Sequence, residues 1–181
     1  MQLRYAKRID FTGDIADFDN FEQFGEPVIE LLRAEGRSKL AIIVDRGFGF
    51  DPSHEQAHVV IDSLNLSCDN PLVGPNNPIG ERFPVVNNIY VSAADTMDQE
   101  ETWSIGNPLG KLRNGVAAGV KQGHIVSSED LVTCNRLGAN FYCYNLVPAM
   151  IIAAHAGLRV LGLVVPEGQT LQRDVLMAIH R

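Results

Sequence analysis

The sequence predicts an α/β fold, a three-layer sandwich around a mixed, largely parallel central sheet. Three observations predict it. Continuous apolar runs such as Lys39–Val44 and Leu158–Val165 have strand length and no polar face, as strands covered on both sides do. Segments of helical period stand between such runs, among them Ser127–Leu137 and Pro148–Gly157. Strand and helix patterns alternate along most of the chain, and that alternation puts helices on the faces of a sheet. At 181 residues the chain reads as a single domain over 1–181, long enough for a substantial core.

Residues 2–11 alternate, with Leu3, Tyr5 and Ile9 set against Arg4, Lys7 and Arg8, which predicts an edge strand. Residues 12–26 are acidic and broken by Gly13 and Gly25. Their Phe18, Phe21 and Phe24, spaced by threes, form either one helical face or a set of loop anchors, in both cases as packing. Pro27–Arg33 reads as a short helix, with proline in its first turn and Gly36 beyond its end. Lys39–Val44 is the first central strand. It stops at Asp45-Arg46-Gly47-Phe48-Gly49-Phe50-Asp51-Pro52, a turn at the carboxyl end of a strand, where open α/β sheets bind ligands. Arg46 there is either a phosphate or carboxylate ligand or a solvated turn residue.

Ala57–Ile61 is the next strand, and Asn65–Pro84 follows it. This stretch carries Pro71, Pro75, Pro78 and Pro84, with Asn-Pro twice. Proline fixes its own φ and drives the preceding residue out of the helical region, so the stretch is neither helix nor central strand. Leu66, Leu72, Val73, Ile79 and Phe83 give it apolar anchors that a disordered linker lacks. A loop of this length with such anchors is an ordered, functional one.

Asn87–Ala93 alternates like a strand, and residues 95–115, polar and carrying Trp103, read as a loop or insertion over the site. Gly115–Val120 is a strand of small residues. Ser127–Leu137 is a helix with Ser127 and Asp130 at capping-box spacing, with Leu131, Cys134 and Leu137 inward and Gly138 as its stop. Asn140–Tyr144 is a short strand, and Pro148 opens a helix that Gly157 closes. Leu158–Val165 is the last central strand, and residues 169–180 form a final amphipathic helix. His155, on an otherwise apolar helix, reads as a structural histidine.

Composition excludes several classes. The formal charge of −7 argues against a general nucleic-acid binder, though not against a small anionic ligand held by local donors. No apolar run approaches the ~20 residues of a membrane span. The N-terminal MQLRYAKRIDF is basic but has no apolar h-region, so it does not read as a signal peptide. Cys68, Cys134 and Cys143 lack metal-site spacing and read as reduced thiols of a cytoplasmic protein. No metal or cofactor is expected.

Asp62-Ser63-Leu64 and the proline-rich loop after it resemble the trimeric purine nucleoside phosphorylases. In that family a strand ends in His-x-Asn-Leu, and a loop runs through Asn-Pro-Leu-x-Gly-Pro-Asn to Arg-Phe-Pro. Leu137-Gly-Ala, Val147-Pro and His155-Ala-Gly-Leu-Arg-Val resemble its later Leu-Gly-Ala, Val-Pro-Glu and His-x-Gly-Leu-Arg-Val. The resemblance spans residues 40–165 and implies a nucleoside phosphorylase-like fold. It also implies a homo-oligomer, trimeric or trimer-based, and nucleoside, nucleobase or phosphate as ligands.

The family reaction splits a nucleoside with phosphate into base and ribose 1-phosphate. It needs a phosphate cradle, ribose contacts and a polar group at the leaving base. By resemblance, Asp45 and Arg46 stand where the family has Asn-Ala beside the base and phosphate pockets, and Arg46 would fill that space. Ser63 stands at the family histidine. Phe83 matches a phenylalanine that reaches a neighbouring subunit's ribose pocket. Tyr144 and Asn145 replace a Met-Ser pair under the ribose. The base-gripping glutamate falls at Val126, with Glu129 or Asp130 nearby, and either could instead be a helix cap. The leaving-group residue falls at Gly168, so Glu167 is the catalytic candidate if the loop shifts by one residue. The family's N-terminal Gly-Ser-Gly and Arg-x-His are not matched, and the chain reads as a short homologue lacking that phosphate-binding part.

Three functions follow as expectations. The first is a phosphorylase-like protein with a rearranged site. The second is a homologue that binds a nucleoside or other small ligand, or a partner, without turnover. The third is a nucleosidase-like hydrolase. The expected site is a cleft bordered by Asp45, Phe83, Tyr144 and Glu167.

Overall fold

The computed structural model describes residues 7–10, 40–50, 57–75, 80–91, 112–121, 123–124, 126–167 and 169. Among them one sheet holds β1 (Lys7–Asp10), β2 (Leu40–Gly49), β3 (His58–Asn65), β4 (Arg113–Gly119), β5 (Phe141–Cys143) and β6 (Arg159–Pro166). The helices are α1 (Ser128–Arg136) and α2 (Leu146–His155). The expected helix at 27–33, that at 169–180 beyond Gln169, the phenylalanines of 12–26, Ile79 and Trp103 lie outside the described residues.

Parallel pairing joins β1 to β2, β2 to β6, β3 to β4 and β4 to β5. Antiparallel pairing joins β2 to β5 and β3 to β6. The mixed, largely parallel sheet is as the sequence predicts. The layering differs from the expected three-layer sandwich, because β2, β5, β4, β3 and β6 follow one another round a closed barrel. Closure follows from how β2 shares its edges. One edge takes β1 at Ala41–Val44 and β5 at Gly47–Gly49, and the other takes β6 from Leu40 to Gly47. Pairing β6 with β3 at His58–Val60 completes the ring of five strands, and β1 is attached to it through β2.

β2 runs five residues beyond the Val44 that ends its apolar stretch, as far as Gly49, so Asp45 and Arg46 are strand residues rather than turn residues. Gly47 permits this, since a β-carbon there would overlap Val164 of β6. β3 extends beyond the expected Ile61 to Asn65, with a register shift between Val60 and Asp62 where it parts from β6. Of the expected strand at 87–93, the described residues 87–91 form one bridge, Tyr90 to Val160, entered from a turn in which Asn88 has φ 56°. Of the expected loop at 95–115, the last residues instead open β4.

The helices stop where glycine was expected to stop them. Gly138 and Gly157 have φ of 92° and 74°. Beyond them, Ala139 N–H donates to the Cys134 carbonyl at 3.0 Å and Leu158 N–H to the Ala153 carbonyl at 2.9 Å, closing both helix ends as Schellman motifs. α1 opens on the expected capping box of Ser127 and Asp130. Its inner face is narrower than predicted: Cys134 is buried, but Leu137 is the C-cap and exposed. α2 begins at Leu146, ahead of Pro148, and is buried along most of its length, His155 included. It packs with Ala41 and Ile43 of β2, Val60 of β3, Ala117 of β4 and Val160 of β6 in the main core. Leu40, Ile42, Val44, Leu161 and Leu163 point the other way into a second core, as alternation along β2 and β6 requires.

Candidate functional site

The alternation that aims Ala41 and Ile43 at α2 aims Asp45 there as well, and Asp45 is wholly buried. Its Oδ2 accepts the main-chain N–H groups of Asn145 and Leu146, each at 2.8 Å. Its Oδ1 accepts the Arg46 N–H at 2.8 Å and the Asn145 side-chain amide at 3.3 Å. Asn145, the N-cap residue of α2, makes no cap bond of its own. Asp45 therefore caps α2 from the facing side of β2. Burial pushes its carboxyl up to about 6, against the pull of the N–H donors of Asn145, Leu146 and Arg46.

Arg46 points from the opposite side of β2. One guanidinium nitrogen lies 3.4 Å from the carbonyls of Pro166 and of Gln169 and ties down the chain after β6. Glu167, in that same turn, is exposed. Tyr144 belongs to a half-buried aromatic group with Phe48 and Tyr142. Phe48 stacks on Tyr142 at 4.9 Å, and Tyr144 stands edge-on to both. The Tyr144 hydroxyl donates to the His124 carbonyl at 3.3 Å. Glu129 is exposed in the first turn of α1, and the capping carboxylate beside it is Asp130. Bonds from Ser127 hold the Asp130 carboxyl below its usual range, and His124 Nε2 lies 3.5 Å from it.

Asn65 ends β3, and residues 66–75 and 80–84 of the proline-rich loop contain turns and no helix or strand, as expected. Asparagines shape it: Asn65 Oδ1 accepts the Ser67 hydroxyl at 2.6 Å, and Asn70 Oδ1 accepts the Leu72 N–H at 2.9 Å. The apolar residues do not all anchor it. Val73 and Phe83 are each 83% exposed, because the loop arches over a space rather than lying on the core. That space is a cavity of about 620 Å³ between the loop, the end of β3 and α2. Val147, Met150 and Ile151 of α2 form its apolar floor, and Ser63, Asn65, Asn70 and Arg82 supply its polar groups. The buried Tyr90 donates its hydroxyl to Ser63 Oγ at 2.9 Å. Burial drives the Tyr90 phenol far above its usual range, so it remains a donor.

The structure joins Asp45 to Asn145, with Tyr144 next in the chain, and puts Phe83 on the cavity. It leaves Glu129 and Glu167 on the surface. Of the residues proposed from sequence, Phe83 alone is in the described lining. The floor on α2 read as core, since an apolar helix face looks the same whether it meets a core or a cavity. The signal that was available is Ser63, small and polar where the resembled family has histidine. The described lining holds a hydroxyl, amides and one guanidinium, groups that can hydrogen-bond a polar ligand. No group of His, Cys, Asp and Glu suited to a metal ion occurs among the described residues. No described helix is long and apolar enough to cross a membrane.

The described residues thus form a closed mixed α/β barrel with a helix packed on it and a cavity under the proline-rich loop. Purine nucleoside phosphorylases are similar to it in sequence and in fold. The chain is 27% identical over 148 residues to purine nucleoside phosphorylase 1 of Geobacillus stearothermophilus, across 80% of this chain and 52% of that protein. It is 28% identical over 106 residues to purine nucleoside phosphorylase 1 of Bacillus subtilis, across 58% of this chain and 38% of that protein. The Schistosoma mansoni purine nucleoside phosphorylase bound to BCX-34 superposes with a TM-score of 0.67 at 18% identity, across 91% of this chain and 65% of that one. No protein-family model matches the sequence. The chain is thus similar in sequence and fold to the purine nucleoside phosphorylases, and it spans about half the length or less of the curated relatives quoted.

Proposed function

We propose that this chain is a purine nucleoside phosphorylase-like protein with a rearranged site that binds a nucleoside or nucleobase and does not carry out ordinary phosphorolysis. The observation that carries this reading is the cavity lining: an apolar floor on α2 for a flat ring, hydroxyl and amide groups for a sugar, and no acid or base in the described wall. Its neighbours support the ligand class, since Schistosoma purine nucleoside phosphorylases have been solved with inosine and with guanosine. Asp45 and Asn145, expected at the ligand, satisfy each other, which favours binding without turnover. Losing a charge-stabilising group typically costs ~10²–10³ in rate.

Phe83 and Val85, 83% and 76% exposed, are apolar surface that a second copy of the chain would cover, in keeping with a trimer or trimer-based oligomer. The reading further includes a single domain over 1–181 and, with Cys68, Cys134 and Cys143 all free thiols, a cytoplasmic location.

Calorimetric titration with inosine, guanosine and hypoxanthine, alongside a cleavage assay with and without phosphate, tests the reading. Binding without cleavage supports it. Cleavage that saturates with phosphate would restore the phosphorylase, and phosphate-independent cleavage would favour a nucleosidase with Glu167 as its acid. Absence of binding to any of the three would refute the ligand class.

A further inference from the structure

Asp45 sits where β2, β5 and α2 meet. Its oxygens accept from the main chain of Arg46, Asn145 and Leu146 and from the Asn145 side chain. The buried Cys143 thiol on β5 is close enough to feel its charge, and burial together with that charge pushes the thiol well up. Every one of the hydrogen-bond partners is a donor. A carboxylate suits such a shell, and so does the positive end of the α2 dipole. A protonated carboxyl does not, because its O–H must then point at a group that is itself donating. Burial pulls the other way and favours the neutral form. The opposition leaves the group at about 6, where both forms are populated near neutral pH.

The turn that Asp45 holds is also part of the cavity. Val147 follows Leu146 directly, and Met150 and Ile151 lie one turn on. We infer that Asp45 is a proton-operated latch. Ionised, it holds the first turn of α2 against β2. On taking up a proton Asp45 stays buried but accepts less well from the Asn145 and Leu146 N–H groups, so that turn loosens locally, and the cavity wall carried by α2 moves with it. The inference rests on the Asp45 shell and the cavity, and does not depend on which ligand the cavity takes.

The other titratable groups near the latch are accounted for. Arg46 directs its guanidinium at the Pro166 and Gln169 carbonyls. Burial raises the Cys143 thiol and the Tyr144 phenol, so both stay protonated while Asp45 titrates. Glu167 acts on Tyr144 from the turn after β6, and His155 stands at the far end of α2.

The test is an NMR titration of the whole chain from pH 7.5 to 4.5. It follows the Asp45 carboxyl carbon, the amides of Arg46, Asn145 and Leu146, and the methyl groups of Val147, Met150 and Ile151. All should move with one midpoint near pH 6. Exchange protection of the Asn145 and Leu146 amides, corrected for intrinsic rates, should fall by about tenfold or more as the carboxyl protonates. In Asp45→Asn, neutral at every pH, the same signals should stay flat. A flat wild-type titration overturns the latch, and so does the same titration surviving in Asp45→Asn. Amides that titrate while the methyl groups stay still overturn its link to the cavity. The wild-type readings decide the matter if the variant does not fold.

Discussion

Gly80 lies so close to the main-chain carbonyl of His155 that a β-carbon at residue 80 would overlap it. The contact seats the returning arm of the proline-rich loop on the last turn of α2, while the first turns of the same helix form the cavity floor. Roof and floor are thus fastened at one point. Gly80→Ala should push the loop off the helix and cost about 1–3 kcal/mol of overpacking. Urea denaturation should show a lower midpoint with an unchanged slope. An unchanged midpoint would mean that the loop can move aside freely.

Asp45 sets a pH dependence of stability. Its carboxyl is raised from 3.8 to about 6 in the folded chain, so the folded state binds the proton more tightly than the unfolded one. The contribution is therefore fully present below pH 3.8, is lost as pH rises through about 6, and is flat above that. A shift of that size corresponds to about 3 kcal/mol. Measured as the difference between wild type and Asp45→Asn, unfolding free energy should favour wild type increasingly on acidification from pH 7 to 4.5. A difference that does not vary with pH would contradict the buried, titrating carboxyl.

Phe83 separates loop anchoring from ligand contact. At 83% exposure it contributes little to the fold, and Phe83→Ala should change stability by no more than about 0.5 kcal/mol. If the cavity holds a nucleoside or base, calorimetry should show weaker binding in this variant. If Phe83 also meets another copy, sedimentation should show dissociation at lower dilution. A large loss of thermal stability with neither effect would return it to the role of anchor.

The α1 cap is local and separable. Ser127 donates its main-chain N–H to Asp130 Oδ2 at 2.9 Å and accepts the Asp130 N–H on its hydroxyl at 3.2 Å. Ser127→Ala should cost about 1 kcal/mol, read from thermal or urea unfolding, and should leave ligand binding intact because α1 is not in the described cavity lining. Loss of binding in this variant would place α1 in the site after all.

The residues alone determined whatever depends on near neighbours in the chain. Apolar runs announced β2, β3 and β6, the Ser127–Asp130 spacing announced the cap of α1, and Gly138 and Gly157 announced where both helices end. The proline-rich stretch announced a shaped loop, and its motifs pointed to the phosphorylases. Closure of the sheet was beyond this reach, because it needs β6 to pair with β3 and β2 at once, and no pattern along the chain records which edges meet. The role of Asp45 was hidden for the same reason. A carboxylate after an apolar run looks like a ligand in a turn, and only the fold reveals that the donors it meets are those of a helix 101 residues further on. Local periodicity specifies elements, whereas burial and long-range donors decide whether a polar residue serves a ligand or the protein itself.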